Sequence, residues 1–299
     1  MTGRLFCFGL GYSAQVLARR LASEGWAVAG TARQAEHAEA LQRLGFACTL
    51  FDRERPLAPG SLEGTSHLLV SVPPDPIGDP VLDAHGSDIA ALPGLRWLGY
   101  LSTTGVYGDR DGGWVDETSE LRPSGERGRR RAAAERGWLA LWRDAGVPVH
   151  IFRLAGIYGP GRNAFAALRA GTAKRIDKPG QYFSRIHVED IASVLAASIA
   201  QPRPGAVYNV CDDLPAPPQE VVAVAAELLR VASPPLVSLD EAALSPMARS
   251  FYQDNKRVSN ALIKRELGVR LRYPDYIAGL RALLAAERPG ETRPPPRSA

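Results

Sequence analysis

Residues 5–14 read Leu-Phe-Cys-Phe-Gly-Leu-Gly-Tyr-Ser-Ala, and this stretch decides the fold. Its first four residues make a short apolar run of the kind that fills a buried strand. Gly9, Gly11 and Ala14 then stand at the spacing G-x-G-x-x-A. Val16, Leu17 and Leu21 follow at helical spacing, so a helix is predicted over 12–24. A strand that runs through a glycine turn into a helix is the context that gives this motif its value. There Gly9 permits the tight turn, Gly11 lets the backbone approach a pyrophosphate, and Ala14 lets helix pack closely on strand. The first N–H groups of the helix then face the anion. Gly9, Gly11, Tyr12 and Ser13 are accordingly candidate dinucleotide-binding residues.

Working outward, apolar runs predict strands at 26–31, 46–51, 67–72, 96–103 and 147–156. Amphipathic spacing predicts helices at 35–44, 83–92 and 126–146 between them. Such alternation implies a parallel sheet covered on both faces, and right-handed crossovers make it a doubly wound, Rossmann-like α/β fold. The second half is less regular. It reads as a helix at 164–173, a strand at 182–188, a helix at 189–200, a strand at 206–211, and helices near 217–231, 256–267 and 275–287. The expected division is a dinucleotide-binding domain over 1–160, completed by elements in about 182–211. A small C-terminal substrate lobe would take 161–181 and 212–287. The tail 288–299, with three consecutive prolines, is expected to be disordered.

The chain of 299 residues is 45% hydrophobic and 23% charged, the balance of an ordinary globular protein rather than a fibre or a disordered chain. No apolar stretch approaches the ~20 residues that span a bilayer, so no membrane partner is expected. The N-terminus runs straight into a strand pattern without a signal-peptide cleavage site, which fits a cytoplasmic protein. The net charge of +4 comes from arginines spread along the whole chain. The basic run 127–136 lacks aromatic interleaving, so no nucleic-acid partner is expected either. Cys7, Cys48 and Cys211 each lie in a strand-like run and read as buried free thiols. No metal site is expected.

Cofactor choice is read at the end of the second strand, where an acid would accept from the ribose 2′-OH of NAD. Here Gly30-Thr31-Ala32-Arg33 stands instead, with no acid until Glu36. Arg33 suits bidentate pairing with a 2′-phosphate, and Thr31 adds a hydroxyl donor, so NADP is expected over NAD. Asp52, at the end of the third strand, is a candidate acceptor for the adenine amino group. As a turn residue it would be equally ordinary.

Four further segments resemble one family. Leu101-Ser102-Thr103-Thr104-Gly105-Val106-Tyr107-Gly108 is similar to S-S/T-x-x-V-Y-G. Arg153-Leu154-Ala155-Gly156-Ile157-Tyr158-Gly159-Pro160-Gly161 is similar to R-x-x-x-V-Y-G-P-G, and Ile186-His187-Val188-Glu189-Asp190-Ile191-Ala192 to I-H-V-D-D-V-A. Tyr208-Asn209-Val210 and Leu267-Gly268 stand where the family has Y-N-V and a late L-G. The chain thus resembles the extended short-chain dehydrogenases, the NAD-dependent epimerase/dehydratase family, and within them an atypical YeeZ-like branch. The resemblance implies a nicotinamide-binding domain interleaved with a small lobe, with the substrate in the cleft between them. It adds Ser71 and Ala155 to the expected cofactor contacts. It also suggests a homodimer.

The departures from the family pattern matter as much. The family's first loop is G-x-x-G-x-x-G, and this one is a residue shorter. Aligning Pro123–Glu135 on the family's Y-x-x-x-K motif puts Arg127 at the tyrosine and Arg131 at the lysine, and no tyrosine occurs between Tyr107 and Tyr158. In the family the tyrosine is the general acid/base and the lysine lowers its pKa and holds the ribose. A guanidinium is always protonated and cannot replace the tyrosine, although Arg131 retains donors for ribose hydroxyls. Thr103 remains as a donor to the substrate oxygen. Candidate replacements for the lost acid are His187, Tyr107, Asp116 and Glu117. Arg127 and Arg131 share a helix face with Glu135. They either point into the cleft and bind an anionic substrate, or form a surface ladder in which Arg131 pairs with Glu135. Two functions stay open: an NADP-linked oxidoreductase or epimerase-type enzyme on a small polar, anionic substrate, or a non-catalytic NADP-binding sensor or partner protein.

Overall fold

In a computed structural model that describes residues 2–287, the apolar runs of the first half become β1 (Arg4–Phe8), β2 (Ala27–Ala32), β3 (Ala47–Leu50), β4 (His67–Val70) and β5 (Trp97–Thr103). The helices between them are α1 (Tyr12–Ser23), α2 (Ala35–Arg43) and α3 (Pro80–Ala90). After a two-residue strand β6 (Trp114–Val115) come α4 (Glu126–Ala145) and β7 (Val149–Leu154). The second half supplies β8 (Gly156–Tyr158), α5 (Ala164–Arg169), β9 (Arg175–Asp177), β10 (Arg185–His187), α6 (Val188–Ala200) and β11 (Val207–Val210). It ends with α7 (Pro218–Leu229), β12 (Leu236–Ser238), α8 (Pro246–Phe251), β13 (Arg257–Val258), α9 (Ala261–Leu267) and α10 (Tyr276–Glu287).

The main sheet has seven strands in the order β3-β2-β1-β4-β5-β7-β11, and every pairing in it is parallel. This is the doubly wound architecture read from the sequence. The order reverses between β1 and β4, and the carboxyl ends of strands at such a switch point form the crevice for a ligand. One face of the sheet is covered by α1, α6 and α9 around Leu5, Cys7, Leu17, Ile191, Leu195 and Ile263. The other is covered by α3 and α4 around Phe8, Leu68, Tyr100, Trp138 and Ile151. Burying aromatic side chains of the size of Trp97 and Trp138 contributes roughly 1.5–3 kcal/mol each.

Several boundaries differ from the sequence reading. Helix α3 starts at Pro80 rather than 83 because the Asp79 carboxylate accepts from the N–H groups of Val81 and Leu82, and proline is at ease in a first turn. The helix expected from 256 starts only at Ala261, since Arg257–Val258 pair with Trp114–Val115 instead. The strand expected at 182–188 shortens to β10 and pairs with β8, outside the main sheet. Of the strand-like 147–156 run, Val149–Leu154 enters the main sheet, and Gly156–Tyr158 turns away as β8. Within the segment expected to form the lobe, α5, α7 and α10 build a separate core of Phe165, Ala216, Ala225, Tyr276 and Leu280. By contrast, Ile263 and Leu267 of α9 pack on the sheet. The late chain is therefore divided between two cores. The tail 288–299, expected to be disordered, lies outside the described residues.

All three cysteines are buried and free. Among the described residues no helix is long and apolar enough to cross a membrane, and no cluster of metal-ligating side chains occurs.

Candidate functional site

The carboxyl ends of β1, β4, β5 and β7 open into a cavity of about 1220 Å³ that extends to the lobe. The glycine loop forms one end of it. Gly9 sits at φ +82°, in the left-handed region that glycine enters without strain, and its N–H donates to the Thr31 hydroxyl at 2.9 Å. The Ser71 hydroxyl donates to the Gly9 carbonyl. Two side chains from neighbouring strands thus set the turn. Gly11 follows with extended backbone, and a Cβ placed there would meet nothing within 4 Å. Helix α1 begins at Tyr12 with no side-chain cap, which leaves its first-turn N–H groups to an external acceptor. Gly11, Tyr12, Ser13, Ser71 and Ala155 all line the cavity. An open cradle beside an uncapped helix start fits the pyrophosphate of a dinucleotide.

Thr31 requires a correction. It was expected to offer its hydroxyl to a 2′-phosphate, but it is 1% exposed beneath Gly9 and shapes the loop instead. Arg33, two residues on, is exposed and its guanidinium has no partner among the described residues. Asp52 also departs from expectation. Its carboxylate accepts from the Glu54 and Arg55 N–H groups and from the Arg55 guanidinium, which hold it below the usual carboxylate range. Its oxygens close an Asx-type turn rather than standing free for an adenine. Arg55, which the sequence reading passed over, also donates to the Arg33 carbonyl at 3.2 Å and so joins the ends of β2 and β3.

At the other end stands the altered helix. Thr103 Oγ1 accepts from the Gly105 N–H at 3.1 Å, which caps the short turn Thr104–Tyr107, and the side chain lines the cavity. Arg127 and Arg131 line it as well. The Arg131 guanidinium donates to the Leu101 carbonyl at 2.6 Å and to the Tyr100 hydroxyl at 3.2 Å. Arg127 lies over the Phe251 ring at 5.8 Å and has no carboxylate partner among the described residues. The Arg131–Glu135 ladder is absent, because Glu135 points inward. It receives the Arg153 guanidinium, with a closest approach of 2.7 Å, and accepts from the Ser102 hydroxyl. Arg153 in turn donates to the Tyr107 hydroxyl at 2.9 Å, which donates to Asn209 Oδ1 at 2.7 Å. This buried chain supports the floor of the cleft. A hint lay in the sequence, since Arg153 and Asn209 stand as polar residues within largely apolar strands.

The structure removes the candidate proton donors named from the sequence. His187 is 2% exposed, does not line the cavity, and accepts from the Glu189 N–H at 3.2 Å as the N-cap of α6. Burial, with Arg272 nearby, pushes its pKa down to about 4, so the ring is neutral. Tyr107 is wholly buried in the chain above, and burial pushes it up to about 12. Asp116 folds back on Thr118 and Ser119, and Glu117 accepts from the Asn209 N–H at 2.7 Å. The charge lining the cavity is strongly basic. Arg127, Arg131, Arg162, Arg185 and Lys256 are among its cations, and Asp254 is the one carboxylate lining it among the described residues.

Comparison with known proteins agrees with this architecture. The sequence pattern of the NAD dependent epimerase/dehydratase family matches residues 88–211. Protein YeeZ of Escherichia coli K12 is 30% identical over 281 residues, which cover 89% of this chain and 95% of YeeZ. A Silicibacter pomeroyi protein described as functionally unknown is 58% identical, with a TM-score of 0.89, covering 95% of this chain and 99% of that one. The dTDP-glucose 4,6-dehydratase DesIV of Streptomyces venezuelae, solved with NAD, shares the fold at 18% identity and a TM-score of 0.77, over 94% and 96% of the two chains. This chain belongs to the NAD-dependent epimerase/dehydratase family of extended short-chain dehydrogenases.

Proposed function

We propose that this protein binds NADP in preference to NAD and uses it in oxidoreductase or epimerase-type chemistry on a small anionic substrate. The observation that carries the reading is the cation-lined cleft running from an open glycine cradle to the lobe. The bound dinucleotide would supply hydride transfer at the nicotinamide. The α1 N-terminus and Gly11 would hold its pyrophosphate, Arg33 its 2′-phosphate, and Arg131 its ribose hydroxyls. Thr103 would orient the substrate oxygen, since its hydroxyl hydrogen has no acceptor among the described residues. Arg127 would bind an anionic substrate group as a fixed positive charge.

A non-catalytic NADP-binding role is the second reading. It is favoured by Arg127 standing where the family has its acid/base tyrosine. Two measurements divide the possibilities. Calorimetric titration with NADP and NAD tests the cofactor, and tighter NAD binding overturns the preference. Loss of NADPH absorbance with a panel of small anionic carbonyl compounds tests turnover. Binding without any such loss favours the non-catalytic role.

A further inference from the structure

We propose that Lys256 is the proton-transferring catalytic residue of this cleft, held in place by Asp254 and Ser124, in the role that a tyrosine on α4 would otherwise fill. This rests on the redox reading above. Lys256 lies just before β13, in the late chain, and its side chain lines the same cavity as Thr103 and Arg127. Its Nζ donates to the Gly108 carbonyl at 2.9 Å and to Asp254 Oδ2 at 3.2 Å. An ammonium has three N–H donors, and the third has no acceptor among the described residues. Asp254 Oδ1 accepts from the Ser124 hydroxyl, two residues before α4 begins. The chain Ser124–Asp254–Lys256 therefore ties this late segment to the foot of the helix whose Arg127 cannot release a proton.

Two of the cavity's tyrosines, Tyr158 and Tyr252, serve less well. The Tyr158 hydroxyl faces the Asp275 carbonyl at 3.4 Å, against the start of α10, and burial pushes both Tyr158 and Tyr252 upward, away from neutrality. Burial acts on a lysine in the opposite sense. It pulls Lys256 down toward neutrality, with Arg110 adding to the effect and Asp254 and Asp109 opposing it. A group with its pKa nearer the working pH transfers protons more effectively.

The step balances as carbonyl reduction. A hydride supplied by the reduced nicotinamide dinucleotide forms the new C–H bond. The C=O π electrons pass to oxygen, which takes a proton from Lys256 Nζ. The products are an alcohol, the oxidised dinucleotide and a neutral amine, which regains a proton from water.

The test uses the full chain and its four lysines, Lys174, Lys178, Lys256 and Lys264. Each is acylated by trace acetic anhydride across a pH series, with α-N-acetyl-lysine amide as standard in the same tube, and read by mass spectrometry. Lys256 is expected to titrate below the standard, lower still in Asp254→Asn, and to be protected at least fivefold by saturating NADP. A midpoint at or above the standard overturns the proposal. Calorimetry on the wild type is done first. Bound NADP without protection of Lys256 removes only this proposal, whereas binding of neither NADP nor NAD removes the redox reading with it. In turnover, Lys256→Arg keeps the charge but releases no proton. It should bind NADP as the wild type does and lose ~10²- to 10⁴-fold of the NADPH oxidation elicited by phenylglyoxylate. Undiminished oxidation overturns the proposal.

Discussion

Glu135 on α4 and Arg153 on β7 form an ion pair with a closest approach of 2.7 Å, with the two side chains only 2% and 6% exposed. Two charges so deeply buried depend on each other, because either one left alone faces the full cost of desolvation. Glu135→Ala should therefore destabilise the fold by about 3–5 kcal/mol in chemical denaturation. Replacing the pair together, Glu135→Leu with Arg153→Met, should recover most of that loss. A single variant as stable as the wild type would contradict the pairing.

At the glycine loop two neighbouring glycines should respond differently. Gly11→Val has room for its side chain and an ordinary backbone, so stability should change by no more than about 0.5 kcal/mol. The new side chain would fill the cradle, and calorimetric NADP binding should vanish. Gly9→Ala meets both a left-handed backbone and Ser71 Oγ 2.8 Å from its Cβ. It should lower the melting temperature as well as binding.

Arg33→Ala addresses the 2′-phosphate alone. A charge-assisted hydrogen bond contributes about 1.5–3 kcal/mol, so the NADP dissociation constant should rise roughly 10- to 150-fold. NAD affinity should stay unchanged. Equal losses for both dinucleotides would show that Arg33 does not read the phosphate.

Arg127 and Arg131 should separate in function despite sharing a helix face. Arg131 is anchored to the Leu101 carbonyl beside the cavity, so Arg131→Ala should weaken NADP. Arg127→Ala should leave NADP untouched and raise the dissociation constant of anionic carbonyl ligands in competition titrations. NADP affinity indifferent to both changes would reduce the face to a charged surface.

His187 makes stability sensitive to acid. Above pH 6.5 its ring is neutral in both folded and unfolded chains. As pH falls from 6.5 toward 4, the unfolded chain takes up a proton that the buried ring refuses. Its share of stability, up to about 3 kcal/mol, is lost across that window and levels off below it. Asparagine also caps helices well. His187→Asn should thus fold, bind NADP, and show a shallower loss of stability between pH 6.5 and 4. A large fall in turnover at constant NADP affinity would instead return His187 to the chemistry.

The local pattern by itself determined the nucleotide loop, the first five strands and the doubly wound sheet. Turn geometry at Gly9 and hydrophobic periodicity are properties of a few adjacent residues, and any fold must honour them. Partner choice among charges is not local. Arg131 and Glu135 stand four apart on one helix, the spacing of a surface pair, yet the tertiary structure sends Arg131 to the Leu101 carbonyl and Glu135 to Arg153. The sheet beneath α4 offers one side chain a backbone acceptor at the cleft and the other a buried guanidinium, and burial outweighs the weak attraction of an exposed ladder. Position decided the candidate acids in the same way: His187 went to a helix cap, Tyr107 to the core, and Lys256, 148 residues along the chain from Gly108, into the cleft. Contacts between residues so far apart in the chain form only in the tertiary structure, and residue spacing carries no trace of them.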